Sequence, residues 1–132
     1  MADLKGCFSH KTDDWRTPPD MYYWFMNHDF IDPCPYQADF DGLERNYIGK
    51  KLFVNPPYSD ISTWVDWLIK QWQNNCEFAL LVPARTDTKW FHKLLKLGVH
   101  IHFFEGRLHF NESKLGAPFP SILITNYKFE RS

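Results

Sequence analysis

Residues 53–59 read FVNPPYS: an apolar run that ends in asparagine, two prolines and a tyrosine. Proline has no backbone N–H and pushes the residue before it out of helical geometry, so Asn55 and Pro56 are both held extended and the corner is stiff. Such a corner can aim two acceptors, the Asn55 side-chain carbonyl and the Pro56 backbone carbonyl, at the two hydrogens of an exocyclic amino group on an aromatic base. The nitrogen lone pair of that group is delocalised into the ring, and it becomes a nucleophile only when the pair is localised. Pro57 completes the rigid turn, and Tyr58 supplies a ring on which the base stacks. An amino group inside a duplex is out of reach of a methyl donor, so the base must first be extruded. The electrophile that fits is the sulfonium methyl of S-adenosylmethionine, displaced in line, with the proton leaving afterwards from the cationic product nitrogen. The plain alternative is a turn and nothing more, because Asn-Pro starts turns and Pro-Pro breaks loops. A proline-ligand motif fails on spacing, since its tyrosine would stand one residue later.

The surrounding elements must position this corner. TPPDMYYWF opens a helix with Thr17 as N-cap, Pro18 at the first helical position and Asp20 at the third, running to about Asn27. Five strands are predicted, at Phe30–Ile31, Leu52–Asn55, Phe78–Val82, Val99–Phe104 and Ile122–Thr125. All are continuous apolar runs, which suit strands covered on both faces of a mainly parallel sheet. Ile61, Trp64, Val65, Leu68 and Trp72 mark one helix by their spacing of three and four, stopped by Asn74 and Asn75. Trp90, Phe91, Leu94 and Leu95 mark another, begun near Thr86–Thr88 and ended by Gly98. The pattern is βαβαβ in a single domain over residues 1–132, after a polar lead-in over 1–14. Three strand ends carry polar groups, at Asp32, Asn55 and Pro83–Arg85. Ligands of open α/β sheets bind outside the carboxyl ends of strands, so these three ends are expected to line one crevice.

Composition bounds the function. Aromatic residues make up 18% of the chain, more than a minimal core needs, so some rings are expected in a stacking site. Lys and Arg number 15 against 16 Asp and Glu, so nucleic-acid binding must rest on a local patch rather than on net charge. Lys89, His92 and Lys93 lie off the apolar stripe of their helix, as a solvated face or as phosphate contacts. Cys7, Cys34 and Cys76 are odd in number and form no C-x-x-C pair, which points to reduced thiols. His100 and His102 share one face of a strand without a visible third ligand, so no metal site is expected. The N-terminus lacks an apolar h-region and no apolar run is long enough to span a bilayer, so a soluble cytoplasmic protein with no membrane partner is expected.

The stretches DDWRTPPDMYYWF, FIDPCP, DGL, FVNPPYS with the following WVDW, LLVPARTDTKWFH, FEGRLHF and APFPSILI also occur in a recognisable order. Over about residues 13–126 the chain resembles the phage-type DNA N6-adenine methyltransferase (Dam) family. The resemblance implies a reduced Rossmann-like S-adenosylmethionine-dependent methyltransferase fold, α/β, with a mainly parallel sheet and a C-terminal antiparallel strand. It implies methyl transfer to adenine N6 in double-stranded DNA. Thr17 and Pro18 match an element that contacts the methionine part of the cofactor. Asp32 and Pro33 fall where the acidic residue of the first strand helps to bind the cofactor, and Asp41 matches an acidic position at its adenosine end. Asn55, Pro56, Pro57 and Tyr58 match the catalytic tetrad. Arg85, Thr86 and His92 match a post-strand stretch read as target wall or DNA contact, with Lys89 and Lys93 beside it. Arg107 matches a position that would meet a phosphate, the cofactor carboxylate or a structural ion-pair partner.

The chain also departs from the full pattern. About twenty residues separate Asp32 from Leu52, too few for the extra βαβα units that usually build the adenosine half of the pocket, and no G-x-G follows Ile31. Cys34-Pro35 stands where small residues are usual. No separate target-recognition domain is expected within these residues, so sequence preference is expected from loops such as Asn111–Ala117 or from a partner. These departures support an alternative, a shortened relative that binds DNA or a protein as a decoy or regulator without catalysis. Cytosine N4 and RNA are lesser variants of the acceptor, because the same corner serves any exocyclic amine. A homodimer is the expectation for so small an enzyme on a long duplex, in the host cytoplasm if a phage encodes it.

Overall fold

A computed structural model describes residues 15–35, 38, 40–112 and 115–128. The polar lead-in over 1–14, including Cys7, lies outside the described residues. In chain order the elements are α1 (Pro19–Met26), β1 (Phe30–Ile31), a 3-10 turn (Gly42–Glu44), β2 (Lys51–Val54), α2 (Ile61–Gln73), β3 (Glu77–Pro83), α3 (Lys89–Lys96), β4 (His100–Phe103), a second 3-10 turn (Phe110–Glu112) and β5 (Ser121–Thr125).

The strands form one open sheet in the order β1-β2-β3-β5-β4. β1 pairs with β2 and β2 with β3 in parallel, while β5 lies antiparallel to both β3 and β4. It follows that β4 runs in the same direction as β1, β2 and β3, and that the returning last strand is inserted among them rather than added at an edge. Every residue of Leu52–Val54, Phe78–Pro83 and Ser121–Thr125 is buried, as unbroken apolar runs inside a covered sheet require.

Helices cover both faces. Phe25 of α1 stacks on Phe53 with centroids 4.4 Å apart, and Trp72 of α2 meets Phe78 edge-on at 5.8 Å. Leu52 is level with Phe78, and Phe53 with Ala79, so the two aromatic contacts fall on opposite faces of the sheet. The α1 boundary differs from expectation by one residue: Pro18 is the N-cap, with extended backbone, and Thr17 lies outside the helix with its hydroxyl engaged elsewhere. α2 stops at Asn74, followed by Asn75 at φ 63°, a left-handed geometry that asparagine tolerates. Thr88 caps α3 by accepting the Phe91 N–H.

The β1–β2 connection is stitched to α2. Trp67 Nε1 donates to the Arg45 carbonyl at 3.0 Å. The fully buried Gln71 accepts the Tyr47 N–H and donates to Asn46 Oδ1, each at 2.9 Å. A buried amide must satisfy both ends, and here that requirement fixes the path of a loop with no strand or α-helix among its described residues. Among the described residues no helix is long and apolar enough to cross a membrane.

Candidate active site

Parallel pairing sets the carboxyl ends of β1, β2 and β3 side by side. At the end of β2, the half-buried Asn55 donates from Nδ2 to the Trp15 carbonyl and to Thr17 Oγ1, the latter at 3.0 Å. Two acceptors gathered around Nδ2 decide which end of the amide is which, because turning it over would set Oδ1 against the Trp15 carbonyl oxygen. Oδ1 is left buried with no hydrogen-bond partner. An unmet buried acceptor costs on the order of 1–3 kcal/mol, which an arriving N–H donor recovers. Pro56 and Pro57 are buried, and the Pro57 carbonyl accepts the Asp60 N–H at 3.0 Å, closing the turn into α2.

Tyr58 does not present the open face expected of a stacking platform. It is 4% exposed, with Phe110 and Phe119 edge-on to its ring at 6.3 and 5.6 Å. Its hydroxyl is buried without a partner, and burial pushes its pKa up against the pull of the Arg85 guanidinium.

At the end of β1, Asp32 Oδ1 accepts the Cys34 N–H at 2.8 Å, and the Tyr22 hydroxyl lies close enough to favour the charged form of the same carboxyl. Burial outweighs both and pushes Asp32 up to about 6. Burial, then the neighbouring carboxylate, pushes Tyr22 up to about 12. A desolvated carboxyl of this kind gains most from an approaching cation. Pro33 is held against Gly42, where an added Cβ would stand 2.0 Å from the Pro33 carbonyl oxygen, so only glycine permits the approach. Asp41 Oδ1 accepts the Leu43 N–H at 3.0 Å and caps that turn. The structure thus brings Pro33, next to Asp32, against the turn that Asp41 caps. Thr17 is joined to Asn55 instead, with Pro18 opening α1.

At the end of β3, Arg85 Nη1 donates to the Tyr58 carbonyl at 3.0 Å and ties this loop to the β2 corner. Thr88 Oγ1 donates to the Arg85 carbonyl at 2.7 Å, and His92 Nε2 donates to the Thr86 carbonyl at 2.8 Å. Arg85, Thr86 and His92 therefore shape the connection into α3. Lys89 is exposed on its first turn, whereas Lys93 pairs with Asp66 of α2 at 2.7 Å. Arg107 belongs to another segment, where its Nη1 donates to the Ala117 carbonyl at 3.3 Å.

Residues to which sequence reasoning assigned no part in this corner complete it. Trp15, Phe110 and Phe119 pack together with centroids 5.2 to 5.9 Å apart, and the two phenylalanines cover Tyr58. Asn111, at φ 56°, donates its N–H to the Arg16 carbonyl at 3.0 Å and accepts the Arg16 N–H on Oδ1. The aromatic residues sit within WRTPP, GRLHF and APFPS and carried a signal there. Asn111 carried none beyond the tolerance of asparagine for left-handed backbone.

Fold and strand ends together define the class: an open, mostly parallel α/β sheet whose neighbouring strand ends carry a desolvated carboxyl and an orphaned acceptor. The chain belongs to the DNA N-6-adenine-methyltransferase (Dam) family, which its residues 7–121 match. Membership makes it a DNA adenine methyltransferase in general terms and implies S-adenosylmethionine as the methyl donor. No curated protein and no solved structure matches the chain.

Proposed function

We propose that the chain transfers a methyl group from S-adenosylmethionine to the N6 amino group of adenine in DNA, on a reduced Rossmann-like fold. The observation that carries this reading is the Asn55 amide, fixed through Nδ2 with Oδ1 buried and partnerless. Asn55 Oδ1 accepts one amino hydrogen and the Pro56 carbonyl the other, because the Pro57 carbonyl is already committed to Asp60. Both acceptors are in place before the base arrives, so no reorganisation is needed as positive charge develops on the nitrogen. When bound, S-adenosylmethionine supplies an electrophilic sulfonium methyl group. Asp32 suits the cationic part of that molecule, since a positive charge beside it relieves the burial that raises its pKa. Thr17, Pro18, Pro33 and Asp41 complete the cofactor side. Stacking on Tyr58 requires the Phe110 and Phe119 rings to part, with Trp15 following them. Lys89 meets a DNA phosphate at the start of α3, next to the connection that Arg85, Thr86 and His92 shape.

A second reading is favoured by one observation: among the described residues between β1, a two-residue strand, and β2 there is a 3-10 turn and no α-helix or strand, so the cofactor side is short. It makes the chain a DNA- or protein-binding relative without catalysis. Calorimetric titration with S-adenosylmethionine, alone and with DNA, separates the two, because absent binding at millimolar ligand supports the second. The direct test is incubation with defined duplex oligonucleotides followed by nucleoside mass spectrometry. N6-methyladenine is expected with the native chain and forms far more slowly with Asn55→Ala. Methyl groups on cytosine N4 alone, or none while cofactor is bound, would overturn the proposal.

A further inference from the structure

We infer that Asn111 is a positioning residue for the Asn55 amide and acts through a single peptide group. The inference rests on the role proposed for Asn55. The Trp15 carbonyl that accepts from Asn55 Nδ2 and the Arg16 N–H that donates to Asn111 Oδ1 belong to the same peptide unit. That unit is trans and planar, so its C=O and N–H point in opposite directions. Asn111 Oδ1, the Trp15–Arg16 peptide and Asn55 Nδ2 therefore form one continuous relay of hydrogen bonds, in which each bond polarises the next.

The following peptide is pinned as well. The Arg16 carbonyl accepts the Asn111 N–H at 3.0 Å, and the next residue, Thr17, supplies the second acceptor for Asn55 Nδ2 at 3.0 Å. Both acceptors that orient the amide thus sit on a segment held from the far side by one asparagine. The positive φ of Asn111 is what lets its side chain and its own N–H address the same residue. Its neighbour Phe110 covers Tyr58, so one short turn controls both the aim of the acceptor and access to the ring.

Two substitutions isolate the relay. Asn111→Gly keeps the left-handed backbone and the N–H bond to Arg16 and removes the side chain with its Oδ1. Asn111→Asp keeps an oxygen acceptor in the same place. The readout is solvent exchange of the Asn55 side-chain amide protons by NMR, joined to kcat and KM on an oligonucleotide substrate. In Asn111→Gly the amide protons are expected to exchange about tenfold faster, the loss of one typical hydrogen bond, with kcat falling by a similar factor and KM for S-adenosylmethionine unchanged. Asn111→Asp is expected to keep native protection. An Asn55 amide as protected in Asn111→Gly as in the native chain would overturn the inference. If the native chain transfers no methyl group while Asn111→Gly still loosens the amide, the proposed function fails and the positioning role stands.

Discussion

At the end of β1 a half-buried carboxyl accepts a backbone N–H, whereas at the end of β2 a half-buried amide has both its acceptors on the nitrogen and none of its oxygen used. The two ends are neighbours in a parallel ladder, yet they lack opposite things. Asp32 has a hydrogen bond and lacks a compensating charge; Asn55 is itself uncharged and lacks a donor. A cation relieves the first and an amino group the second. Each is a local loss of stability that a ligand of the right kind would recover.

The largest effect expected from breaking this contrast is at Asn55. Asn55→Ala removes a preorganised acceptor and should raise the barrier by roughly 2–4 kcal/mol, or about 30- to 1000-fold in kcat, while cofactor binding survives. A steady-state rate on an adenine-containing duplex measures it. An unchanged rate would reduce the β2 corner to a turn and leave only the β1 end as a functional edge.

Asp32 comes next, and its effect runs the other way on stability. In the folded chain Asp32 holds its proton up to about pH 6, against 3.8 for the ordinary carboxyl. Folding therefore takes up a proton between these values. Stability falls as pH rises through that window and stays lowered above it, by up to about 3 kcal/mol from this group. Asp32→Asn removes the charge and keeps a side-chain oxygen for the Cys34 N–H. It is expected to raise the melting temperature of the ligand-free chain at neutral pH, to flatten the decline between about pH 4 and pH 6, and to weaken S-adenosylmethionine binding. Thermal melts across that range with a calorimetric titration check all three. A lower melting temperature at neutral pH would mean that the carboxylate already has its compensating charge, and the contrast between the two ends would disappear.

Tyr58→Phe sharpens the comparison within the β2 corner. The hydroxyl is buried and partnerless, so its removal should stabilise the ligand-free chain by about 1 kcal/mol in denaturant unfolding. Destabilisation instead would show that the hydroxyl is satisfied in solution and that Asn55 Oδ1 is the sole unmet group at that end.

Much of the framework was legible because it follows from local pattern. The apolar runs at Leu52–Val54 and Phe78–Val82 are buried strands, the Ile61-to-Trp72 stripe is α2, and Thr88 caps α3. The fit of β5 between β3 and β4 was not legible, since the order of strands in a sheet is decided by packing between distant segments. The same reason limits the candidate site. Asn55 could be picked out from its prolines, but the aim of its amide is set by Trp15 and Thr17, at separations of 40 and 38 residues. Tyr58 was expected to be open because nothing near it in sequence covers it; Phe110 and Phe119 do so from far along the chain. Thr17 suited an N-cap by residue type, and Asn55 had the stronger claim on its hydroxyl.

The smallest effects belong to the exposed charges of α3, where the lesson of the strand ends reverses. Lys93 pairs with Asp66 at 2.7 Å, but both side chains lie in water, so solvent screening and the freedom lost by two side chains offset most of the attraction. Lys93→Ala is expected to change unfolding free energy by less than about 0.5 kcal/mol. Lys89 has the opposite value: it contributes little to folding, and as a phosphate contact its removal lowers the slope of log affinity against log salt by about 1 on any duplex. Parallel salt titrations of Lys89→Ala and Lys93→Ala read the difference directly. A slope change for Lys93 and none for Lys89 would move the DNA toward α2 and away from the Arg85 loop that touches Tyr58. That result would separate the duplex from the corner where its base has to arrive.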